Sequence, residues 1–159
     1  MATGTPATVL LASLGVEFII HEYHHDPTAE SFGLEAAEKL GFDPAQVFKT
    51  LIADVDASPT VAIVPVNTHL SLKALARACD AKKAVMADPH VAARITGYVV
   101  GGISPVAQKK KLTTFLDETA GLFDTILVSG GRRGFDIELS PEALLAVCNA
   151  QYVDIADFS

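Results

Sequence analysis

The chain has 159 residues, half of them hydrophobic and 19% charged, and its formal net charge is −7. This composition excludes an intrinsically disordered chain, and the length fits one domain, which we predict to span residues 1–159. The apolar stretch from Val9 to Leu14 is too short for a membrane span and follows no Lys or Arg, so we expect a cytoplasmic protein with Cys79 and Cys148 reduced.

The N-terminal half is predicted to contain two helices, one strand and a hairpin. Thr5 is the expected N-cap of the first helix, Pro6 its first residue and Gly15 its stop. The later elements follow in order: a strand at 18–20, a helix at 35–40 that ends at Gly41, and strands at 47–55 and 60–66 joined by a turn at 56–59.

The C-terminal half is predicted to contain more strands than helices. Helices are expected from Ser71 to Cys79, from Asp88 to Gly97 and at 142–149 after Ser140, and strands at 112–116, 125–129, 135–139 and 152–155. Several strands are separated only by turns, which disfavours a regular βαβ repeat. We therefore predict an α+β fold: a single domain with a mixed, mostly antiparallel, barrel-like sheet surrounded by helices.

The positive charges are clustered although the total is negative. Seven of the 12 Lys and Arg residues lie in three runs, at 82–83, 109–111 and 132–133. Phosphate contacts need local cations rather than a positive total, so these runs are candidates for contact with nucleic acid. From charge alone, solvated surface runs explain the pattern equally well.

Glycine-bearing loops are candidates for ligand contact at 97–105, at 129–134 and at Phe32-Gly33. Paired glycines let the backbone approach a ligand and direct consecutive N–H groups at an oxyanion or phosphate. Plain tight turns are the alternative explanation. Neither a Walker A sequence nor a dinucleotide fingerprint occurs.

Lys49 is an unusual residue for its place in the apolar, strand-like run VFKTLI. A partly buried ammonium there would present a positive charge to an ester carbonyl or phosphate, and its pKa would fall. A lysine that extends from the strand to solvent is the alternative.

The remaining polar residues predict no metal centre and no protein nucleophile. His21, His24 and His25 crowd one segment without the spacing of a metal site, and a polar loop accounts for them. No GxSxG sequence occurs, and no neighbour marks Ser104 or Ser129 as a nucleophile. We therefore expect neither a metal nor an organic cofactor.

Eight segments are informative because of their order along the chain. They are HEYHHDP (21–27), FGLEAAEKLG (32–41), VFKTL (47–51), KKAVMAD (82–88), TGYVVGGISP (96–105), QKKK (108–111), LVSGGRRGFDIEL (127–139) and YVDIAD (152–157). Together they resemble the YbaK/EbsC family of Cys-tRNA(Pro) deacylases, which is similar to the editing domain of bacterial prolyl-tRNA synthetases.

The resemblance implies an enzyme that acts in trans to hydrolyse the ester of mischarged Cys-tRNA(Pro). The family's characteristic lysine falls on Lys49, which with backbone N–H groups of the glycine loop would stabilise the oxyanion while the substrate's thiol or a water attacks. The implied pocket lies between the lysine strand and the GGISP loop. The substrate-binding positions fall on Tyr23, Phe32, Thr50, Gly101, Gly102, Ile103, Ser104, Ser129 and Asp136.

The expected partners are mischarged tRNA(Pro) and prolyl-tRNA synthetase. The cations beyond the glycine loops are the predicted tRNA contacts: Lys109, Lys110, Lys111, Arg132 and Arg133. One departure from the family is Ala107, which stands where a glycine is frequent and bears on substrate preference. Two alternatives stay open: a deacylase for another small amino acid such as Ala, and a module that binds a nucleotide or aminoacyl end without turnover.

Overall fold

A computed structural model describes residues 4–159 as five α-helices and ten strands. The helices are α1 Pro6–Ser13, α2 Phe32–Leu40, α3 Leu72–Ala78, α4 Pro89–Thr96 and α5 Pro141–Cys148. The strands are β1 Ile19–Glu22, β2 Phe48–Val55, β3 Ser58–Pro65, β4 His69–Leu70, β5 Ala84–Met86, β6 Thr113–Asp117, β7 Ile126–Arg132, β8 Phe135–Leu139, β9 Gln151–Val153 and β10 Ala156–Asp157.

The strands form three sheets with the orders β5-β2-β3-β6-β9, β1-β8-β7 and β10-β4. All strand pairs are antiparallel except β3 with β6 and β6 with β9. A single parallel bridge between Val47 and Leu127 joins the two larger sheets. The predicted α+β fold is therefore confirmed, although the described strands form two larger, bridged sheets and one small sheet rather than one closed barrel.

Each helix begins where a capping side chain accepts a backbone hydrogen bond. Thr5, Ser71, Asp88 and Ser140 are the caps that the sequence predicted. Helix α2 starts three residues earlier than predicted, because Ser31 accepts from the N–H of Leu34. No helix in the described part of the chain is long and apolar enough to cross a membrane.

The β2–β3 hairpin is tighter than the sequence predicted. Only Asp56 and Ala57 form its turn, with φ of 47° and 69°, and both values are left-handed, as in the two-residue turns that match strand twist. Strand β3 therefore begins at Ser58. The sequence did not predict β4, β5 and β10. These strands have only two or three residues, too few to show an alternation of apolar and polar side chains.

Strand β3 is apolar along most of its length because hydrophobic clusters cover both of its faces. Val61 and Ile63 pack into the larger cluster with α1, α4 and α5, whereas Ala62 and Val64 pack on the opposite face with α3. Successive side chains of a strand alternate between faces, so a strand covered on both faces has no polar side.

Helix α2 lies on a third cluster and depends on Gly33 for its approach to the sheet. A Cβ on Gly33 would lie 2.3 Å from Cγ1 of Val66. Val66 also belongs to the cluster formed by Ala36, Ala37, Val47 and Leu127. A side chain at position 33 would therefore push the helix away from the sheet.

We predict that Gly33→Ala lowers the free energy of unfolding by about 1–3 kcal/mol, because overpacking outweighs the higher helix propensity of Ala. Val66→Ala removes the nearer clashing atom, Cγ1, and leaves Cβ at 2.8 Å, so the double variant should be more stable than the sum of the single changes implies. Urea unfolding of the four proteins measures this coupling. Additive losses would contradict a direct contact between the two positions.

Candidate active site

A cavity of about 360 Å³ lies at a gap in the hydrogen bonding of β2. Strand β2 pairs with β3 along its whole length, but with β5 only from Ala53 onward. At its other end the contact with β7 is the bridge at Val47. Within the described residues, no strand therefore pairs with this edge from Phe48 to Ile52, and all five residues line the cavity.

The open edge directs backbone hydrogen-bonding groups of Thr50 toward the cavity. The Ile52 carbonyl accepts from the N–H of Ala87 at 3.0 Å on the β5 side. Backbone groups of every second strand residue face the same edge, so the N–H and carbonyl of Thr50 face the gap.

Lys49 and Thr50 project to opposite faces of β2, yet both line the cavity because it occupies the edge between the faces. Lys49 is half-buried, and burial lowers the pKa of its ammonium. Within residues 4–159 this ammonium forms no ion pair and no hydrogen bond. Oγ1 of Thr50 is a buried side-chain atom without a hydrogen-bond partner in the same range.

One of the residues that line the cavity is acidic. Asp136 on β8 is 7% exposed, and burial raises its pKa to about 7. Ser129 on β7 is its register partner and also lines the cavity. Burial raises the pKa of Tyr23 to about 12, with further contributions from the carboxylates of Asp136 and Glu35, so the phenol remains a hydrogen-bond donor at neutral pH.

The glycine loop at 97–105 forms one wall, but its residues have different places in it. Gly101 lines the cavity with φ of 88°, and a Cβ there would lie 2.9 Å from the Phe32 ring. Ile103 also lines the cavity. Gly102 lies behind this surface: its N–H donates to the Val99 carbonyl at 2.9 Å.

The close backbone contact behind the loop gives Gly102 a packing role. A Cβ at Gly102 would lie 2.7 Å from the backbone of Arg132. Ser104 is fully buried, and its hydroxyl accepts from the N–H of Val106. Gly102 and Ser104 are therefore placed in the wall and not at the cavity surface, whereas the other predicted substrate-binding residues line the cavity.

Phe32 is held in place by contacts that the sequence did not predict. Nε of Arg133 donates to the carbonyl of Val100 at 2.9 Å, and its guanidinium lies 5.0 Å from the centre of the Phe32 ring. The ring of His25 lies 5.5 Å from the same phenyl ring. Arg133 thus connects α2 with the glycine loop across the cavity rim.

Glu35 anchors the segment before α2. Burial opposes its ionisation, but hydrogen bonds from the Asp26 N–H, His25 and Lys39 outweigh that effect and lower its pKa. The bonds measure 2.6, 2.7 and 3.0 Å in that order. In the sequence, only the position of Glu35 in the first turn of a helix indicated a structural role for this residue. The fold brings the three hydrogen-bond donors to it.

The other predicted tRNA contacts lie outside the cavity. Lys109, Lys110 and Lys111 are exposed. Arg132 is 3.7 Å from Glu22 and lies over the Phe135 ring at 4.1 Å. Among residues 4–159, no group of three His, Cys, Asp or Glu side chains converges as metal ligands would.

Comparisons with known proteins agree on one family. The family described as the aminoacyl-tRNA editing domain matches residues 26–147. A protein of Enterococcus faecalis, named as a candidate Cys-tRNA(Pro)/Cys-tRNA(Cys) deacylase, EbsC, is 42% identical over 120 residues, which are 75% of this chain and 73% of that protein.

Two solved structures share the fold across nearly the whole chain. One is a candidate trans-editing enzyme for prolyl-tRNA synthetase, with a TM-score of 0.80 and 22% identity over 98% of this chain and 99% of that one. The other is a hypothetical protein with a TM-score of 0.86 and 21% identity over 96% of this chain and all of that one.

The buried carboxyl of Asp136 predicts a pH-dependent stability. Its folded pKa of about 7 lies above the unfolded value of about 3.9. The folded state therefore holds the proton more tightly, and stability is lost as pH rises from about 4 through 7, by on the order of 2–4 kcal/mol.

We predict that Asp136→Asn removes most of this dependence of stability on pH. The stability of the variant relative to the wild type should therefore increase from pH 5 to pH 8. Urea unfolding at both pH values measures it. Asp124→Asn is the control, because that side chain is exposed and its removal should leave the difference between the two pH values unchanged. Parallel curves for Asp136→Asn and wild type would contradict the assignment.

Proposed function

The chain belongs to the aminoacyl-tRNA editing domain family, and from this premise we propose that it hydrolyses the ester of mischarged tRNA, with Cys-tRNA(Pro) as its substrate. The observation that carries the proposal is the pairing of an uncompensated, half-buried ammonium, Lys49, with the open backbone edge at Thr50. A fold alone needs neither feature. Both features suit ester hydrolysis, because a cation and an N–H donor stabilise the negative charge that develops on the carbonyl oxygen.

The cavity suits a small aminoacyl group. About 360 Å³ holds such a group together with part of the terminal nucleoside. Phe32, Met86 and Ile103 supply apolar surface, while Asp136 faces the cavity as the acceptor for the substrate's ammonium. The cavity is thus lined by one ammonium, Lys49, and one carboxyl, Asp136, which would contact different groups of the substrate.

We assign oxyanion stabilisation to the Lys49 ammonium and the N–H of Thr50. The expectation from the glycine loop included the amide of Gly102, but that N–H already donates to Val99. Thr50 instead offers an N–H on an unpartnered edge, together with a hydroxyl that lacks a partner within the described residues. Such donors are positioned before the reaction and need no rearrangement.

The reaction requires no protein nucleophile in this proposal. Water adds to the carbonyl carbon, the bond to the ribose oxygen breaks, and that oxygen takes a proton, which releases the amino acid and the tRNA. With cysteine, the substrate Sγ is the alternative nucleophile: it expels the ribose oxygen and forms a thiolactone that water then opens. Only the second route depends on the side chain of the substrate.

The proposed partner surface includes Lys109, Lys110 and Lys111, whose exposed ammonium groups lie beyond the glycine loop. Arg132 and Arg133 belong to this surface as well, although both already contact protein groups. We place the reaction in the cytoplasm, with prolyl-tRNA synthetase as the source of the substrate. The two free cysteines agree with a reducing compartment.

The test is deacylation of Cys-tRNA(Pro), Ala-tRNA(Pro) and Pro-tRNA(Pro) in the presence of EDTA. Release of cysteine with little release of alanine or proline supports the proposal, and persistence of activity in EDTA supports a reaction without metal. Preferential release of alanine would favour the deacylase for another small amino acid. Tight binding of all three without release would favour the binding module.

We predict that Lys49→Ala lowers kcat by about 10²–10³, as when one oxyanion donor is removed elsewhere. Its melting temperature should hold or rise, because an unpaired ammonium near apolar groups is unfavourable. Lys49→Arg should restore little of the lost kcat, since a planar guanidinium cannot place its charge where an ammonium does.

Turnover and thermal unfolding of both variants decide the role of Lys49. Near-normal turnover of the alanine variant would remove Lys49 from the mechanism. A large drop in melting temperature together with the loss of activity would make the lysine structural.

A further inference from the structure

A second cavity, of about 460 Å³, lies between α3 and the segment that leads into β5. Four of its nine lining residues are cations: Lys73, Arg77, Lys82 and Lys83. Its one acidic lining residue is Asp80. One third of the 12 Lys and Arg residues of a chain with net charge −7 thus surround one groove. We call it the α3 groove.

The cations of the α3 groove are not neutralised by the protein. All four side chains are exposed, and none forms an ion pair within residues 4–159. Lys73 and Arg77 are four residues apart on α3 and therefore share one face. Like charges held together without partners repel one another, so the groove is poised to accept an anion.

The segment that carries Lys82 and Lys83 is rigidly attached to the sheet. The carboxylate of Asp56 accepts from both backbone N–H groups at 3.1 and 3.0 Å, and the Asp56 N–H donates to the Lys83 carbonyl at 2.9 Å. Asp56 thereby uses its oxygens on backbone groups and not on the ammonium groups. The two lysines are fixed at their Cα atoms while their charges remain available.

The α3 groove is connected to the active-site cavity by a single short strand. Lys83 directly precedes β5, and Met86 at the end of β5 lines the active-site cavity. Three strand residues span about 10 Å. A stacked nucleic-acid strand rises about 3.4 Å per nucleotide, so this distance corresponds to about three nucleotides.

From this geometry we infer that the α3 groove binds backbone phosphates of the RNA strand whose terminal ribose carries the ester, a few nucleotides from the scissile bond. The inference rests on the proposed function for its ligand. It adds a surface on the β5 side of the cavity, separate from Lys109–Lys111 and from the two arginines. Four exposed cations around one groove can contact more than one phosphate, which a free small anion would not need.

The test compares Lys82→Gln/Lys83→Gln with a control of equal net charge. Both substitutions keep the backbone N–H groups that Asp56 accepts. The control, Leu122→Glu/Phe158→Glu, also changes the net charge by −2 but uses exposed side chains that line neither cavity. Binding of uncharged, fluorescently labelled tRNA(Pro) is measured by anisotropy across a salt series, and hydrolysis is measured on Cys-tRNA(Pro) and on cysteinyl-adenosine, which has no phosphate.

We expect the groove variant to bind tRNA about 5- to 10-fold more weakly, with a salt slope smaller by about 1.4, since each lost single-strand phosphate contact removes about 0.7. KM should rise for Cys-tRNA(Pro) and stay unchanged for cysteinyl-adenosine. Lys82→Arg/Lys83→Arg should restore binding, because phosphate contact needs charge. A wild-type salt slope in the groove variant, or an equal loss in the control, would overturn the inference.

The same measurements separate this inference from the proposed function. If the wild type hydrolyses neither ester, the proposed function fails, while the anisotropy series still decides the groove. If millimolar inorganic phosphate protects the groove variant and the wild type equally from heat and tRNA affinity does not change between them, the groove holds no RNA. Equal melting temperatures of the three variants and wild type confirm that the comparison reports on contacts and not on folding.

Discussion

The site depends on how strand β2 divides one hydrogen-bonding edge between two partners. Among residues 4–159, this edge contacts β7 at the Val47 bridge and pairs with β5 from Ala53 onward, and no strand pairs with it between those points, where the Ile52 carbonyl accepts from the N–H of Ala87. A sheet interior normally satisfies every backbone group, so an unpaired stretch next to a cavity is costly unless water or a ligand completes it. That gap exposes the backbone of Thr50 and gives Lys49 room to stay in contact with solvent while half-buried.

Close packing at two glycines and contacts of Arg133 hold the walls around the gap. Gly33 and Gly101 let α2 and the 97–105 loop approach closely, because a Cβ at either position would overlap Val66 or Phe32. Arg133 then connects the loop to the Phe32 ring. Glycines that suggest phosphate or oxyanion contact in a sequence are here explained largely by packing between neighbouring walls.

A second feature of the structure is the set of ionisable side chains that form no ion pair with other described residues. Within residues 4–159, the Lys49 ammonium forms no ion pair, burial raises the pKa of Asp136, and the α3 groove collects four cations beside one acidic residue, Asp80. Elsewhere the same chain satisfies buried charge fully: the Asp117 carboxylate accepts from the N–H groups of Thr119, Ile155 and Ala156. The contrast argues that the unpaired groups are retained for ligands, since partners for charged groups are otherwise supplied.

The sequence by itself determined the α+β class, four helix caps, the β2–β3 hairpin and the oddity of Lys49, because capping, strand alternation and turns act over a few residues. It could not predict the short strand β5, nor that Gly102 would turn its N–H toward Val99. Only the tertiary structure decided where β2 loses its partner and which charges stay unpaired. Both depend on contacts between segments far apart in the chain, for which local periodicity carries no signal.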